Sequence, residues 1–225
     1  SLDAKKVAAK LKETGLKSTV CGAFSPDRDL TSDNAAYRAG SMKYIKGALD
    51  FCAATGTRTF VGPMYSAVGK RRHVSPAQKK KEWGLAVKGI TEAAKYGAKI
   101  GVDLAIEPLN RFETDLVNTA ADGIKFTKQL NSRNFKVILD VKAMSSEAKP
   151  VPQIIRESWP HFAYFHANDR NLKGPGFGDV DFRPIAAALK EVGYAGYVSV
   201  EVFIFDERPE VIATKSIEYL KKSFA

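Results

Sequence analysis

The chain has 225 residues, of which 44% are hydrophobic and 27% charged, and its formal net charge is +10. This composition excludes collagen-like, mucin-like and disordered chains, and a chain of this length can bury a sizeable core without disulfides or structural metals. The positive charge favours anionic partners, such as nucleic acid or a phosphorylated sugar, although solubility alone also accounts for it.

Helix-like and strand-like segments alternate along the chain, because short apolar runs bounded by Gly, Pro or Asp precede longer segments of helical period. The predicted helices cover residues 3–14, 33–55, 76–96, 119–130, 151–159, 182–192 and 209–224, and the predicted strands cover residues 18–24, 57–61, 102–107, 136–140, 163–166 and 197–203. Asn118 is predicted to cap the helix that follows it, and Gly15, Gly56 and Gly193 are predicted to follow helix ends.

Two cysteines, Cys21 and Cys52, are too few for a disulfide framework and lack the spacing of a redox or zinc site. Both lie in apolar runs, so we expect inert core thiols. The sequence contains no apolar run of about 18 residues that would cross a membrane, and its opening residues lack the apolar centre of a signal peptide. We therefore expect a cytoplasmic protein without a membrane partner.

Four polar residues stand at or near the ends of four successive predicted strands: Glu107, Asp140, His166 and Glu201. Alternating strands and helices predict a parallel sheet. A closed barrel places the carboxyl ends of all its strands on one rim, whereas an open sheet gathers ligands only at its switch point. The pattern therefore favours a (β/α)8 TIM barrel of the α/β class.

The spacing of the strands is too wide for eight of them to fit in this chain. At about 36 residues per strand–helix unit, a barrel of eight units needs about 290 residues. The sequence has six predicted strands and begins on a helix. We therefore expect a single domain over residues 1–225 that is N-terminally incomplete, without the first strand, helix and strand of the barrel.

Each of the four polar residues also has an ordinary structural explanation. Glu107 can cap a helix or face solvent, Asp140 can cap the next segment or face a ligand, and His166 can be a satisfied core residue. Glu201 lies within a predicted buried strand, where a carboxylate must be paired or bound to a cation. Together, three carboxylates and one imidazole suit a divalent ion such as Mn, Mg, Co or Zn, and Glu107 and Glu201 on non-adjacent strands suit proton transfer.

A dense basic cluster follows the second predicted strand and comprises Lys70, Arg71, Arg72, His73 and Lys79 to Lys81. Runs of like charge are most often solvated. We therefore interpret this cluster as an exposed loop and helix start.

Several motifs occur in the order in which they occur in one family of sugar enzymes: EPLNRFETDLVNT from Glu107, then VILD, FHANDRN, GPGFG and VSVEVF. Together they resemble the xylose-isomerase-like TIM-barrel superfamily of sugar isomerases and epimerases. The element EPLNRFET is most similar to the D-tagatose and D-psicose 3-epimerases, which act on ketoses. The resemblance covers strands three to eight of the family barrel.

This resemblance implies a metal-dependent proton transfer. Glu107, Asp140, His166 and Glu201 would bind one divalent ion, with Mn favoured and Co, Mg or Zn as alternatives. One of Glu107 and Glu201 would remove the proton beside the carbonyl of an open-chain ketose, giving a metal-stabilised enediolate. The other would return it on the opposite face, and Glu113 would bind the substrate. The family further implies a small-molecule sugar as partner and a homo-oligomer, either dimer or tetramer.

The sequence departs from the family pattern at two substrate-binding positions. Ala143 stands where the family has a histidine, and Leu172 where it has an arginine. Arg170 or Lys173 can substitute for that arginine. A substrate that bears a phosphate or carboxylate is then plausible, and Lys142 joins these two residues as a candidate for binding the anion.

Two other functions remain open. An abasic-site endonuclease of the same fold would suit the positive charge. The resemblance implies, however, that such an enzyme needs a site for three zinc ions with several histidines, and the chain has only three histidines in all. Nucleic acid is therefore a disfavoured partner. A non-catalytic or impaired barrel fragment, stabilised by oligomerisation, follows from the two unpaired sheet edges that six strands leave.

Overall fold

Six parallel strands form one sheet, and their spatial order is the order of the chain. The computed structural model describes residues 2–225. The strands are β1 (Val20–Cys21), β2 (Thr59–Gly62), β3 (Asp103–Ile106), β4 (Phe135–Asp140), β5 (Phe162–Ala167) and β6 (Val198–Val200). The helices are α1 (Ala4–Thr14), α2 (Ala35–Thr55), α3 (Pro76–Ile100), α4 (Ala120–Leu130), α5 (Val141–Met144), α6 (Val151–Ser158), α7 (Phe182–Glu191) and α8 (Pro209–Phe224). The six predicted strands are confirmed, and the sheet is a curled partial TIM barrel.

The curl of the sheet is visible in the contacts of Tyr164, a residue of β5. Its hydroxyl accepts a hydrogen bond from Thr19 Oγ1, beside β1, at 2.9 Å. The same hydroxyl also contacts Ser199 Oγ in β6. The two ends of the sheet therefore approach one another across its concave side, although within residues 2–225 β1 and β6 each pair with one strand only.

The concave face holds a small apolar layer, and the convex face carries the larger core. Val61, Ala105, Ile138 and Tyr164 form the inner layer. The outer side chains of β2 to β5 pack against the helices, as Phe60 and Leu104 do in a cluster with the buried faces of α2 and α3. Successive side chains of a strand point to opposite faces, so one strand contributes to both layers. None of the helices in residues 2–225 has the length and apolarity that crossing a membrane requires.

One predicted helix cap is wrong, and one short helix was not predicted. Thr119, not Asn118, caps α4, because Thr119 and Asp122 form a reciprocal capping box. The Asn118 amide instead donates to the carbonyls of Leu109 and Thr114, which fixes the loop after β3. The short helix α5 was not predicted, since a segment of four residues carries no helical period.

The last strand is shorter than the sequence predicts. β6 ends at Val200, so Glu201 lies just beyond the strand and not within it. The backbone N–H groups of Phe203 and Ile204 donate to the carbonyl oxygen of Leu172, which leads the chain away from the sheet. Among the described strands, β6 is an edge strand and forms backbone hydrogen bonds with one neighbouring strand only. The two hydrogen bonds to Leu172 therefore compete with a single row of sheet hydrogen bonds, and the strand is short.

The basic cluster after β2 is exposed at Arg71, Arg72 and His73, as predicted. Lys70, however, is largely buried, and both Lys70 and Arg72 are held in ion pairs. Lys70 Nζ lies 2.8 Å from Asp29 Oδ2, and its side chain is 12% exposed. Arg72 donates to both carboxylate oxygens of Glu82 at 2.8 Å, and Glu82 is 1% exposed. These ion pairs tie together the segments that follow β1 and β2 and the start of α3.

Asp115 extends this ion-pair network to the loop after β3. Lys79 Nζ approaches Asp115 Oδ1 at 2.6 Å, and Arg72 Nε approaches Asp115 Oδ2 at 3.2 Å. Burial alone would raise the pKa of Asp115, but the hydrogen bonds from Lys79 and Arg72 outweigh burial and lower it. The network thus joins the loops that follow β1, β2 and β3.

Candidate metal centre and substrate cavity

The four polar residues predicted from the strand ends converge on one point. Each of Glu107, Asp140, His166 and Glu201 offers a ligand atom, and these four atoms all lie within 4.8 Å of one another. His166 Nδ1 is 3.2 Å from Glu107 Oε1, 3.4 Å from Glu201 Oε2 and 3.8 Å from Asp140 Oδ2. The histidine nitrogen therefore stands at the centre of three carboxylates.

The period of the strands explains why these side chains meet. Ala105, Ile138 and Tyr164 belong to the inner apolar layer, and the residues two positions further along the chain are Glu107, Asp140 and His166. Side chains at i and i+2 share a face of the sheet. The same relation links Ser199, which contacts Tyr164, to Glu201. The four polar side chains form the layer directly above the apolar one.

Backbone hydrogen bonds hold the two glutamates in this layer beyond the ends of their strands. The Glu107 N–H donates to the carbonyl of Gly62 at 3.1 Å, and the Glu201 N–H donates to the carbonyl of Ala167 at 3.1 Å. The parallel ladder therefore continues by one residue on both strands. Each carboxylate consequently emerges from a fixed backbone and not from a free loop.

Asp140 fulfils both of the roles that the sequence left open. Its Oδ1 accepts a hydrogen bond from the Ala143 N–H at 2.7 Å and so caps α5. Its Oδ2 faces His166 in the polar cluster. Capping fixes the carboxylate plane, so that the second oxygen is aimed at the centre of the cluster.

Asn168 is a site residue that the sequence analysis missed. Its side-chain amide donates to Asp140 Oδ2 at 2.5 Å and to Glu201 Oε2 at 3.2 Å. Its carbonyl oxygen accepts from the Lys142 backbone N–H at 2.8 Å. Asn168 stands two residues after His166, and that spacing is the signal in the sequence that points to it.

Electrostatics in the cluster favour bound protons or a bound cation. Burial, followed by repulsion from Glu107 and Glu201, raises the pKa of Asp140 well above its ordinary value. Burial also raises the pKa of Glu107, against the opposing effect of His166. For His166, burial lowers the pKa, but Glu107 and Glu201 outweigh burial and raise it to about 11. For Glu201, burial is outweighed by His166, and the pKa falls.

The donor set fits a divalent cation. Three carboxylates and one imidazole are the ligands that ions of the Mn, Mg, Co and Zn group accept. A cation among them would remove the repulsion that raises the pKa of Asp140. His73 and His161 do not belong to this group of ligands, so within residues 2–225 the cluster holds a single nitrogen donor.

An open cavity of about 550 Å³ lies over the cluster. Three of the four candidate ligands border it, Glu107, Asp140 and Glu201, together with an apolar wall that includes Phe24, Val68 and Phe203. Pockets of a few hundred Å³ with an apolar lining and a few convergent polar groups are typical of small-molecule sites. The rim where the strands end therefore holds both the polar cluster and the space for a ligand.

Cys21 also borders this cavity, which corrects one of the two expected core thiols. Cys52 is buried, whereas Cys21 is exposed. Cys21 lies two residues after Thr19, whose hydroxyl bonds to Tyr164 on the concave side, so its side chain enters the same layer as the polar cluster. Although part of the residue is exposed, burial of its thiol group and then the carboxylates of Glu107 and Glu201 raise the pKa of Cys21, so the thiol is neutral at neutral pH.

Glu113 is the one candidate substrate-binding residue that the structure brings to the cavity. Its Oε1 lies 2.8 Å from Lys142 Nζ, and its Oε2 accepts a hydrogen bond from the side-chain amide of Asn110. Lys142 is itself tied to Asn168 through its backbone N–H. A continuous set of hydrogen bonds therefore links the polar cluster to Glu113.

Arg170 and Lys173 lie outside the residues that line this cavity. Lys173 Nζ pairs with Asp206 Oδ2 at 2.7 Å, and Asp206 belongs to the segment that follows β6. Arg170 is exposed to solvent. Leu172, between them, has a positive φ of 67°, and its carbonyl holds the chain after β6. Neither cation therefore belongs to the residues that border the cavity.

Several known proteins are similar to this chain in sequence. The sequence profile described as the xylose isomerase-like TIM barrel matches residues 1–223. D-psicose 3-epimerase of Agrobacterium fabrum is 32% identical over 193 residues, which are 86% of this chain and 66% of that protein. L-ribulose 3-epimerase of Methylomonas sp. is 28% identical over the same shares of the two chains. The chain thus spans slightly less than two thirds of the length of these relatives.

Solved structures of similar proteins have the same fold. D-psicose 3-epimerase from Clostridium cellulolyticum, in a structure with D-tagatose, superimposes with a TM-score of 0.89 at 26% identity, over 98% of this chain and 82% of that one. An L-ribulose 3-epimerase gives a TM-score of 0.91 at 23% identity, over 99% and 80% of the two chains. The second likeness is one of fold alone.

Proposed function

This chain belongs to the xylose isomerase-like TIM barrel family, and we propose that it is a divalent-metal-dependent sugar epimerase or isomerase of the ketose 3-epimerase type. The reaction moves a proton on the carbon beside a ketose carbonyl. Relatives named as ketose 3-epimerases support this reaction. In the chain itself, the arrangement of the four polar side chains under an open cavity carries the proposal.

The single most informative observation is the placement of Glu107 and Glu201. They directly follow β3 and β6, which are not neighbours in the sheet, yet their carboxylates lie 3.2 and 3.4 Å from the same atom, His166 Nδ1. Both border the cavity. Two bases that reach one point from different strands of a curved sheet are suited to address the two faces of one carbon.

In this reaction one glutamate removes the proton beside the carbonyl, which gives an enediolate. The other glutamate returns a proton to the opposite face and thereby inverts that carbon. Asp140 and Asn168 keep the carboxylates in place through the contacts described above. Glu113, held by Lys142 and Asn110, supplies a fixed acceptor for a substrate hydroxyl.

Glu107, Asp140, His166 and Glu201 would hold the metal ion. When bound, a divalent ion acts as a Lewis acid that polarises the carbonyl and so acidifies the neighbouring carbon. We favour Mn and keep Co, Mg and Zn as alternatives. A cytoplasmic location and a homo-oligomer, either dimer or tetramer, remain predictions. The oligomer would cover the edges of β1 and β6, which within residues 2–225 have no second strand neighbour.

The test is incorporation of deuterium from solvent into a panel of ketoses, with Mn added to the purified protein. We expect deuterium at the carbon beside the carbonyl and a new epimer. E107Q and E201Q should each abolish both, since an amide cannot accept the proton. E147Q is the matched control, because Glu147 lies outside the cluster and accepts from the Ala120 N–H, as an amide oxygen also can.

Two results would overturn the proposal. One is full exchange in both E107Q and E201Q. The other is a failure of the wild-type protein to bind one divalent ion per chain after loading, combined with no exchange in any ketose. The second result would instead support a non-catalytic barrel.

A further inference from the structure

Arg28 is the only cationic side chain among the described residues that line the cavity over the polar cluster. It lies in the segment between β1 and α2, on a wall that also includes Phe24 and Ser25. The sequence motifs point instead to cations after β5, at Arg170 and Lys173. The place of Arg28 in the cavity follows from the fold and not from any motif.

Tyr44, on α2, holds this wall in place. The Tyr44 hydroxyl accepts a hydrogen bond from the Ala23 N–H at 3.1 Å, and the Phe24 ring packs edge-on against the Tyr44 ring at 5.4 Å. The Arg28 guanidinium carbon lies 4.2 Å from the centre of the same ring. The Arg28 N–H also donates to the Ser25 carbonyl at 2.8 Å. Backbone and side chain of Arg28 are therefore fixed before any ligand arrives.

The charge of Arg28 has no carboxylate at ion-pair distance among the described residues. The neighbouring Asp27 feels this charge at longer range, but its carboxylate accepts from the Ser25 hydroxyl. Within residues 2–225 Arg28 takes part in no ion pair, whereas the other cations around the cavity are matched, as Lys142 is with Glu113 and Lys70 with Asp29. Packing the guanidinium face on an aromatic ring stabilises the cation and leaves its N–H edge free. That edge is a planar fork that suits two oxygens of one oxyanion.

The signs of charge in the cavity also give a ligand its direction. Among the described residues, four carboxylates border it, those of Glu107, Glu113, Asp140 and Glu201, together with the single guanidinium of Arg28. An anionic group would be repelled by the carboxylates and attracted by the arginine. Resting on the proposed function, we infer that the substrate is a ketose with a terminal oxyanion group, phosphate or carboxylate, that Arg28 binds.

The experiment compares D-tagatose, D-tagatose 6-phosphate and D-tagaturonate as probes with the Mn-loaded protein. R28M removes the charge and the fork, and R28K keeps the charge alone. R58M is the matched control, because Arg58 is exposed and borders a different hollow, at the start of β2. We expect wild type to prefer one anionic probe over the free ketose, as measured by kcat/KM.

R28M should lower this preference by about ten- to a hundredfold, the effect of losing hydrogen bonds to a charged group. The ratio of kcat/KM for the anionic probe to kcat/KM for the free ketose should be intermediate in R28K. In R58M this ratio should equal that of wild type. Wild type that prefers the free ketose, or a ratio in R28M within twofold of that in R58M, would overturn the inference while leaving the epimerase intact.

Calorimetric binding separates this inference from the proposed function. Should no ketose be turned over, the proposed function fails, and binding of the two anionic probes to wild type and R28M decides the inference alone. Tenfold or greater weakening in R28M would support it. Equal affinity, or no binding to wild type, would refute it.

Discussion

Replacing Asn168 by alanine removes the one described side-chain amide that touches two of the proposed metal ligands at once. Asn168 is 1% exposed and donates to Asp140 at 2.5 Å and to Glu201 at 3.2 Å. Without it, Asp140 keeps only the hydrogen bond from Ala143, and Glu201 loses its neutral donor. Both carboxylates then have more freedom to turn away from the cluster.

The size of the effect follows from these two hydrogen bonds. Loss of a residue that orients metal ligands typically weakens metal binding by about 10- to 100-fold. A tenfold change corresponds to about 1.4 kcal/mol, which is close to the lower end of the value of one hydrogen bond to a charged group, about 1.5–3 kcal/mol. We expect N168A to lower the affinity for Mn by this factor and to lower the metal-free stability by about 1–3 kcal/mol.

The assay is a competitive Mn titration, run beside chemical unfolding of the metal-free proteins. N134A is the matched control, since the Asn134 amide donates to the carbonyls of Ala94 and Val102 away from the cluster. We expect N134A to lose stability but to keep its affinity for Mn. The reasoning fails if N168A binds Mn within twofold of wild type, or if both variants lose affinity equally.

Three further outcomes are expected. K142M should raise KM for the ketose by about three- to tenfold, because Glu113 loses a partly exposed ion partner; an unchanged KM would mean that Lys142 does not position Glu113. G97A should destabilise the fold by about 1–3 kcal/mol, since its Cβ would lie 2.6 Å from a neighbouring side chain and from a backbone oxygen. G84A on the same helix, with open space around it, should be neutral or stabilise by up to about 1 kcal/mol, and equal effects of the two in a denaturant titration would contradict the packing. The pKa of Asp115 is lowered from 3.8 in the folded protein. The ionised carboxylate therefore stabilises the fold fully above pH 3.8, and this contribution is lost as the pH falls through the lowered pKa. The stability difference between wild type and D115N, about 1 kcal/mol at neutral pH, should therefore vanish in acid, and a difference independent of pH would refute this.

The sequence alone determines the architecture and the main part of the candidate site. Six apolar runs predict six strands, and parallel strands bring their carboxyl ends to one rim. Glu107, Asp140 and His166 could therefore be placed together before any contact was known. Their inward direction follows from the period of two along a strand, which is a local property of the backbone.

Tertiary structure alone decides which side chains support that rim. Asn168 meets Glu201 across 33 positions of the chain, and Lys70 meets Asp29 across 41. Hydrophobic period carries no information about such distant partners, so Lys70 resembled a solvated residue although it is nearly buried.

The cavity wall depends on tertiary packing in the same way. Arg28 faces the cavity because Tyr44, on the following helix, fixes the segment that carries it. Cys21 looked like a core residue because it stands in an apolar run, but the strand before it directs its side chain toward the open rim. The direction and charge partners of a side chain depend on elements far away in sequence, and only their packing fixes them.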